Sequence, residues 1–203
     1  MSQVPGTRTS LLYRLRDSAN QQAWEEFVEI YTPLVHGFFC QRGLQAADAA
    51  DLAQEVMRAV ARTMPNFEYQ PDKGRFSSWL FTISRNKFNS FLDKRRRAPF
   101  VSGGTDVQKQ IEAQPCPEVD PIWERDFQRR VFSWACEQVR SEFQETTWQA
   151  FWRAGVEEQA VSAVAQSLGL SAGAVYVAKS RVLARLREKV EEASGDTALF
   201  IKE

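Results

Sequence analysis

The sequence has 203 residues, enough for one or two small domains, and its 43% hydrophobic content can supply a buried core. The 26 basic and 26 acidic residues cancel, so net charge gives no support for a polyanionic partner. Three widely spaced cysteines and a single histidine argue against a disulfide framework or a zinc site. The first ten residues lack an apolar signal core, and no apolar run has the length of a membrane span. These features favour a cytoplasmic protein with reduced thiols.

The basic residues are nevertheless concentrated in two short segments. Residues 85–97 carry a net charge of +5, from Arg85, Lys87, Lys94, Arg95, Arg96 and Arg97 against Asp93. Residues 179–189 carry +4, from Lys179, Arg181, Arg185, Arg187 and Lys189 against Glu188. Two basic patches on a neutral chain are typical of a polyanion held at two places, although solvated helix ends would give the same pattern.

The chain begins, after a loose arm, with a short helix that Thr9 or Ser10 could cap and that ends near Asp17. A longer helix follows, in which aromatic and aliphatic residues recur every three or four positions from Trp24 to Phe38. Pro33 is predicted to kink or interrupt this helix, and Gly43 to end it. His36 has no partner suited to catalysis, so we interpret it as structural.

A third helix is predicted to begin at Asp48 and to end at Pro65. Its inner stripe is predicted to be buried and comprises Leu52, Val56, Ala59, Val60 and Met64. Its outer stripe is charged and comprises Asp51, Gln54, Glu55, Arg58 and Arg62. By physical criteria alone this is an ordinary amphipathic helix with a solvated outer face.

Residues 75–97 form the most unusual stretch, an aromatic-rich helix that ends in four consecutive cations. A wide apolar arc is predicted to be buried; it comprises Phe76, Trp79, Leu80, Ile83 and Phe91, with Phe81, Phe88 and Leu92 adjoining. The remaining arc is predicted to face outward and comprises Thr82, Arg85, Asn86, Asn89, Asp93 and Arg96. Amides and arginines recognise base edges and phosphates, and nearby aromatic rings offer stacking surfaces.

Residues 98–120 contain a Gly-Gly pair and three prolines without sustained periodicity, which predicts a linker between two helical halves. The second half is predicted to begin with Pro121 in the first turn of a helix. The buried stripe of that helix comprises Trp123, Phe127, Val131, Trp134 and Val139. A further aromatic-rich helix is predicted at about 142–153.

Residues 161–180 carry the most specific local pattern, that of a helix-turn-helix. Small Ala165 permits two helices to cross, and Gly169 permits a positive φ in the turn. The joint is filled by Leu168, Leu170, Val175 and Ala178, and Val164 also matches the motif. Ser171 is predicted to cap a second helix that extends from about Ala172 to Glu192. Its early residues are placed to meet a major groove, and its later arginines to meet phosphates; a helical hairpin without a DNA role is the alternative.

Taken together, these elements resemble the bacterial sigma factors of the extracytoplasmic-function (ECF) class, which contain only regions 2 and 4. The resemblance extends over nearly everything from Thr9 to Val190. The matching segments are Asp51–Val56, with the family's DLxQEV pattern, Phe76–Leu80 and Ile83–Asn86, with FxxWLxxIARN, the basic string Asp93–Arg97, and Gly173–Arg187. The sequence departs from the pattern in two places: Ser90 stands where the family often has Asp, and residues 174–180 lack most of the usual polar side chains.

The resemblance implies an all-α fold of two small helical bundles: region 2 at 1–97, a linker at 98–120, region 4 at 121–192 and a tail at 193–203. It implies a protein that is not an enzyme, needs no cofactor or metal, and directs core RNA polymerase to promoters. Its partners would be the polymerase clamp helices and flap, promoter DNA and, as in many small sigma factors, an anti-sigma protein. A stand-alone helix-turn-helix regulator is the alternative function.

Three sets of site residues follow from the resemblance. The set for core polymerase comprises Asp51, Leu52, Gln54, Glu55 and Arg58. The set for the minus-ten element comprises Arg75, Phe76, Trp79, Arg85, Asn86, Asn89, Lys94, Arg95, Arg96 and Arg97. The set for the minus-thirty-five element comprises Ser171, Gly173, Ala174, Tyr176, Val177, Lys179, Ser180, Arg181 and Arg185.

Overall fold

A computed structural model describes residues 10–67, 75–97 and 119–195, and every regular element in these ranges is helical. The first half contains α1 (Leu11–Arg14), α2 (Gln21–Gln41), α3 (Ala46–Thr63) with a 3-10 turn at Met64–Asn66, and α4 (Phe76–Arg97). The second half contains α5 (Pro121–Arg140), α6 (Glu145–Phe151) followed by a π-helical turn (Trp152–Val156), α7 (Val161–Leu168) and α8 (Ala172–Ser194). The predicted all-α fold class is therefore confirmed.

The predicted stripes of α3 and α5 are buried as expected. Asn20 caps α2 by accepting a hydrogen bond from the backbone N–H of Ala23 at 3.1 Å, and Gly43 follows its end with φ of 86°. Pro33 was predicted to kink or interrupt α2, and the interruption is wrong, because the helix continues through Pro33. The helix predicted at 142–153 is shorter, with α6 confined to Glu145–Phe151.

The two halves share one continuous hydrophobic core. The ring of Tyr31 on α2 stacks on that of Phe127 on α5, with centroids 5.7 Å apart. The Tyr31 hydroxyl donates to the carbonyl of Ala193, at the far end of α8, at 3.2 Å. Arg42, which follows α2, forms an ion pair of 2.5 Å with Asp120, the N-cap of α5. The second half is therefore packed against the first, while the predicted linker lies almost wholly outside the described residues.

Asp120 shows how this junction depends on charge. Burial opposes ionisation of its carboxyl, but hydrogen bonds from the Ile122 N–H and the Arg42 guanidinium outweigh that effect and lower its pKa.

Among the described helices, none is by itself long and apolar enough to cross a membrane; α7 and α8 reach the required length and apolarity only as a pair, bent by 101°.

We expect Gly169→Ala to lower the free energy of unfolding by about 1 kcal/mol, because Gly169 has φ of 65°, a region costly for alanine. A Cβ at this position would meet no atom within 4 Å, so backbone strain alone is tested. Gly37, inside α2, is the matched control: its Cβ would also meet nothing within 4 Å, but the helical backbone favours alanine. Gly37→Ala should therefore raise the free energy of unfolding by about 0.5–1 kcal/mol. Urea denaturation measures the free energy of unfolding of both variants, and a destabilising Gly37→Ala would contradict this account.

Candidate nucleic-acid and polymerase interface

The first turns of α4 are buried on almost every side. Phe76 is 1% exposed and contacts the rings of Phe27 and Tyr31, with centroids 6.1 and 5.3 Å apart. Trp79 is 7% exposed, and the centroid of its ring lies 4.5 Å from that of Phe67. Both were predicted to contact DNA, and that assignment does not fit this arrangement, because neither ring can reach an unstacked base. They hold α4 in the core instead.

Helix α5 covers the polar side of these same turns. The indole Nε1 of Trp123 donates to the carbonyl of Ser77 at 3.1 Å, and the Ser77 hydroxyl donates to Glu124 at 3.0 Å. Glu124 also pairs with Arg75 at 3.4 Å. Thr82 was predicted to face outward but is buried. The second half therefore covers part of the helix expected to meet the minus-ten element.

Further along α4, four members of the predicted outward arc, Arg85, Asn86, Asn89 and Asp93, lie at the surface. Arg85, Asn89, Lys94 and Arg95 are exposed and Asn86 is half-buried, while the side chains of Arg96 and Arg97 lie outside the described residues. We call Arg85, Asn86, Asn89 and the cations of residues 94–97 the basic strip. At 1.5 Å per residue it extends for roughly 18 Å, the span of about five phosphates on one DNA strand. The strip is thus long enough to follow a short stretch of nucleic acid.

The outer face of α3 is a separate polar surface. Asp51, Gln54 and Arg58 are exposed, and Arg58 donates to the side-chain oxygen of Gln54 at 3.0 Å. Glu55 is partly exposed and accepts from Lys87 of α4 at 3.3 Å, so it also ties the two helices together. Leu52 was predicted among the contact residues, but it is buried in the core. The exposed part of this predicted docking surface therefore consists of Asp51, Gln54 and Arg58, which we call the α3 face.

The helix-turn-helix geometry forms as predicted. Helices α7 and α8 meet at 101°, within the range of the helix-turn-helix motif. Gly169 adopts the left-handed conformation in the turn, and the Ser171 hydroxyl accepts from the Ala174 N–H at 3.1 Å. The joint is buried at Val164, Ala165, Val175 and Ala178, with Leu168 and Leu170 packed against it.

The predicted groove-facing residues of α8 divide into two groups. The exposed residues are Ser171, Gly173, Tyr176, Val177, Ser180 and Arg181. Ala174 and Lys179 are half-buried. Arg185 was predicted to contact DNA, but it forms ion pairs with Glu142 at 2.5 Å and Glu188 at 2.7 Å. Hydrogen bonding to Glu142 raises the pKa of Arg185 above its ordinary value. Arg185 therefore secures α8 to the end of α5 and is not placed as a phosphate contact.

Other polar groups add no further site in the described ranges. The His36 ring lies 3.4 Å from the Ala46 carbonyl oxygen and 3.7 Å from the Cys40 sulfur, consistent with a structural role. Burial raises the pKa of the Cys136 thiol to about 11, with nearby Glu137 acting in the same direction. No group of three or more His, Cys, Asp or Glu side chains suited to a metal occurs in residues 10–67, 75–97 and 119–195.

The sequence is similar to known proteins of one kind. Residues 27–98 match the family described as Sigma-70 region 2. The chain is similar to ECF RNA polymerase sigma factor RpoE of Cereibacter sphaeroides, with 32% identity over 43% of this chain and 48% of the relative. It is similar to ECF RNA polymerase sigma factor SigE of Mycolicibacterium smegmatis, with 30% identity over 55% of this chain and 42% of the relative. It is similar to RNA polymerase sigma factor CarQ of Myxococcus xanthus, with 28% identity over 91% of this chain and 98% of the relative. The matches thus span about half the length of the first two relatives and nearly all of the third.

Proposed function

We propose that this chain, which belongs to the ECF class of sigma factors, binds core RNA polymerase and directs it to specific promoters. The observation that carries the proposal is the occurrence, on one chain, of the α3 face, the basic strip and a complete helix-turn-helix. A stand-alone DNA-binding regulator would use the helix-turn-helix but gives no reason for the other two surfaces. In this function the polymerase performs the chemistry, so the chain needs no catalytic residue, and it acts in the cytoplasm beside the polymerase.

The α3 face docks on the clamp helices of the polymerase in this proposal. Within two helical turns this face offers a negative charge, an amide and a positive charge, from Asp51, Gln54 and Arg58, so it suits a polar protein surface. The cations of the basic strip meet phosphates near the minus-ten element, and the amides of Asn86 and Asn89 hydrogen-bond base edges. Base capture costs a few kcal/mol of unstacking, least at weak A·T steps. The helix-turn-helix reads the minus-thirty-five element as duplex.

Helix α5 sets a condition on this function. Because Trp123 and Glu124 cover Ser77 and residues 79–84 are buried, a DNA strand can meet α4 from Arg85 onward while α5 stays in place, and it can meet the first turns only if α5 leaves. Arg75 is half-exposed, but it is held in an ion pair with Glu124 of α5. We therefore propose that the arrangement of the two halves changes when the polymerase and promoter are bound.

The test of the proposed function is run-off transcription with core polymerase, the full chain and a library of promoter fragments. Promoter-specific transcripts that depend on the chain would support it. Tight binding to a duplex operator without polymerase, with no specific transcript, would overturn it in favour of a stand-alone regulator.

We expect replacement of Arg95, Arg96 and Arg97 by alanine to weaken promoter binding by the holoenzyme and to reduce its salt dependence. Each lost phosphate contact should lower the slope of log K against log salt by up to ~0.9. The control replaces Arg16, Arg125 and Arg129, three exposed arginines outside the basic strip, and should leave the slope unchanged. Equal slopes for the two triple variants would show that the basic strip is merely solvated.

A further inference from the structure

The early exposed face of α8 is apolar where a DNA-reading helix usually carries long polar side chains. Residues 172–178 contain no Lys, Arg, Asn or Gln. Tyr176 is 61% exposed and Val177 is 50% exposed, and they are adjacent. Six large hydrophobic side chains are exposed in the described residues, and only Tyr13, Tyr176 and Val177 among them are at least 50% exposed. Bidentate hydrogen bonding to guanine or adenine is therefore unavailable from these first two turns.

The surroundings of Tyr176 and Val177 are suited to duplex DNA. The face lies at the capped start of a 23-residue helix that leaves its partner helix at 101°. Exposed Ser180 and Arg181 continue the same face, and residues 172–187 carry four cations and no acid. In the part of the chain that the structure describes, Arg185 is the cation of this group engaged in ion pairs, so positive charge remains on the groove side.

An alternative occupant, a protein surface, fits less well. A stable protein interface covers roughly 800 Å² on each partner around a central apolar cluster. Here two apolar side chains are bordered by Gly173, Ser180 and Arg181, and that combination matches the edge of a base pair better than the core of a protein interface.

We propose that Tyr176 and Val177 recognise thymine C5-methyl groups in the major groove of the promoter's upstream element. Thymine is the base that presents an apolar group in this groove, and aliphatic and aromatic side chains contact it. This inference rests on the proposed function and specifies its substrate: an upstream element read through thymines, with Arg181 on the flanking backbone.

The experiment begins with the holoenzyme, assembled from core polymerase and the full chain, which selects duplexes from a random pool. Each thymine of the selected upstream element is then replaced by deoxyuridine, which removes only the methyl group. Burial of one methyl corresponds to about a fourfold change in affinity, so one or two positions should show a loss of this size and their combination a larger one. Thymines outside the element serve as the internal control and should tolerate the replacement.

Protein variants assign the effect to the two side chains. Val177→Ala should bind thymine and deoxyuridine duplexes nearly equally at one of the sensitive positions, and Tyr176→Ala at a neighbouring one. Val28→Ala, an exposed valine on α2, is the matched control and should keep the full discrimination. Circular dichroism of the variants establishes that the total helical content is unchanged.

The outcomes separate this inference from the proposed function. If no upstream element is selected and no specific transcript appears, the proposed function fails and takes the inference with it. If an element is selected and deoxyuridine is tolerated at every position, the inference is overturned while the proposed function stands. If Tyr176→Ala and Val177→Ala lose affinity for core polymerase instead of discrimination, the face contacts protein, which also overturns the inference.

Discussion

Replacement of Arg130 by methionine is expected to lower the free energy of unfolding by about 2 kcal/mol and to loosen α5 from the first half. Pro33 has no N–H, so the carbonyl of Glu29, four residues earlier in α2, lacks its intrahelical donor. Arg130 of α5 supplies the missing donor: Nη2 donates to the Glu29 carbonyl at 2.7 Å, and Nε donates to the Ile30 carbonyl at 3.1 Å. Hydrogen bonds from a charged donor contribute about 1.5–3 kcal/mol.

A double-mutant cycle tests whether Pro33 is the reason that Arg130 is needed. In a Pro33→Ala background the alanine N–H can donate to the Glu29 carbonyl, so Arg130→Met should cost about 1 kcal/mol less than in the wild type. Arg129→Met, a change at the neighbouring exposed arginine, is the control and should stay within about 0.5 kcal/mol of the wild type. A coupling energy of zero would show that the two residues act independently.

Hydrogen exchange reports the structural side of the same prediction. Amides near Ser77 and Phe81, which Trp123 of α5 contacts, should exchange faster in Arg130→Met than in Arg129→Met, because opening of α5 exposes the first turns of α4. Unchanged exchange in this segment, despite lower stability, would show that Arg130 does not hold α5 against α4.

Replacement of Asp51 by arginine is expected to weaken binding to core polymerase about a hundredfold while leaving the fold intact. Asp51 is exposed on the α3 face, so its change costs little stability. Reversal of its charge places like charges together across the docked surface, which costs several kcal/mol. Glu137→Arg reverses an exposed acid on α5 and serves as the control, with binding expected to remain unchanged.

Glu55 is a poorer position for this experiment, although the sequence suggests it equally. Its carboxylate pairs with Lys87, whose side chain is only 13% exposed. Glu55→Arg would leave that ammonium group unpaired and close to a second cation, so weak polymerase binding could reflect damage to the fold. Normal holoenzyme assembly by Asp51→Arg, in a variant with an unchanged unfolding midpoint, would show that the α3 face is not the docking surface.

The features that the sequence predicts best are those determined within a few residues. The turn of the helix-turn-helix depends on Gly169, which permits a positive φ, and on Ser171, which caps the next helix. Their partners lie within five positions, so local chemistry specifies the structure. The buried stripes of α3 and α5 are equally local, because helical periodicity places them on one face.

The features that the sequence analysis missed depend on residues far apart in the chain. Pro33 does not break α2, since its freed acceptor finds Arg130 about a hundred positions later. Arg185 is neutralised by Glu142, 43 positions earlier. Helical periodicity contains no information about such distant partners.

The central claim, that this chain is the promoter-specificity subunit of a transcribing complex, is tested most directly by its association with core polymerase that lacks any sigma factor. Fluorescence anisotropy of the labelled full chain, titrated with core polymerase at low salt, measures this association. The account predicts saturable one-to-one binding that unlabelled chain competes away and that Asp51→Arg weakens. A wild-type chain that shows no association under these conditions would contradict the account, however well its helix-turn-helix fits DNA.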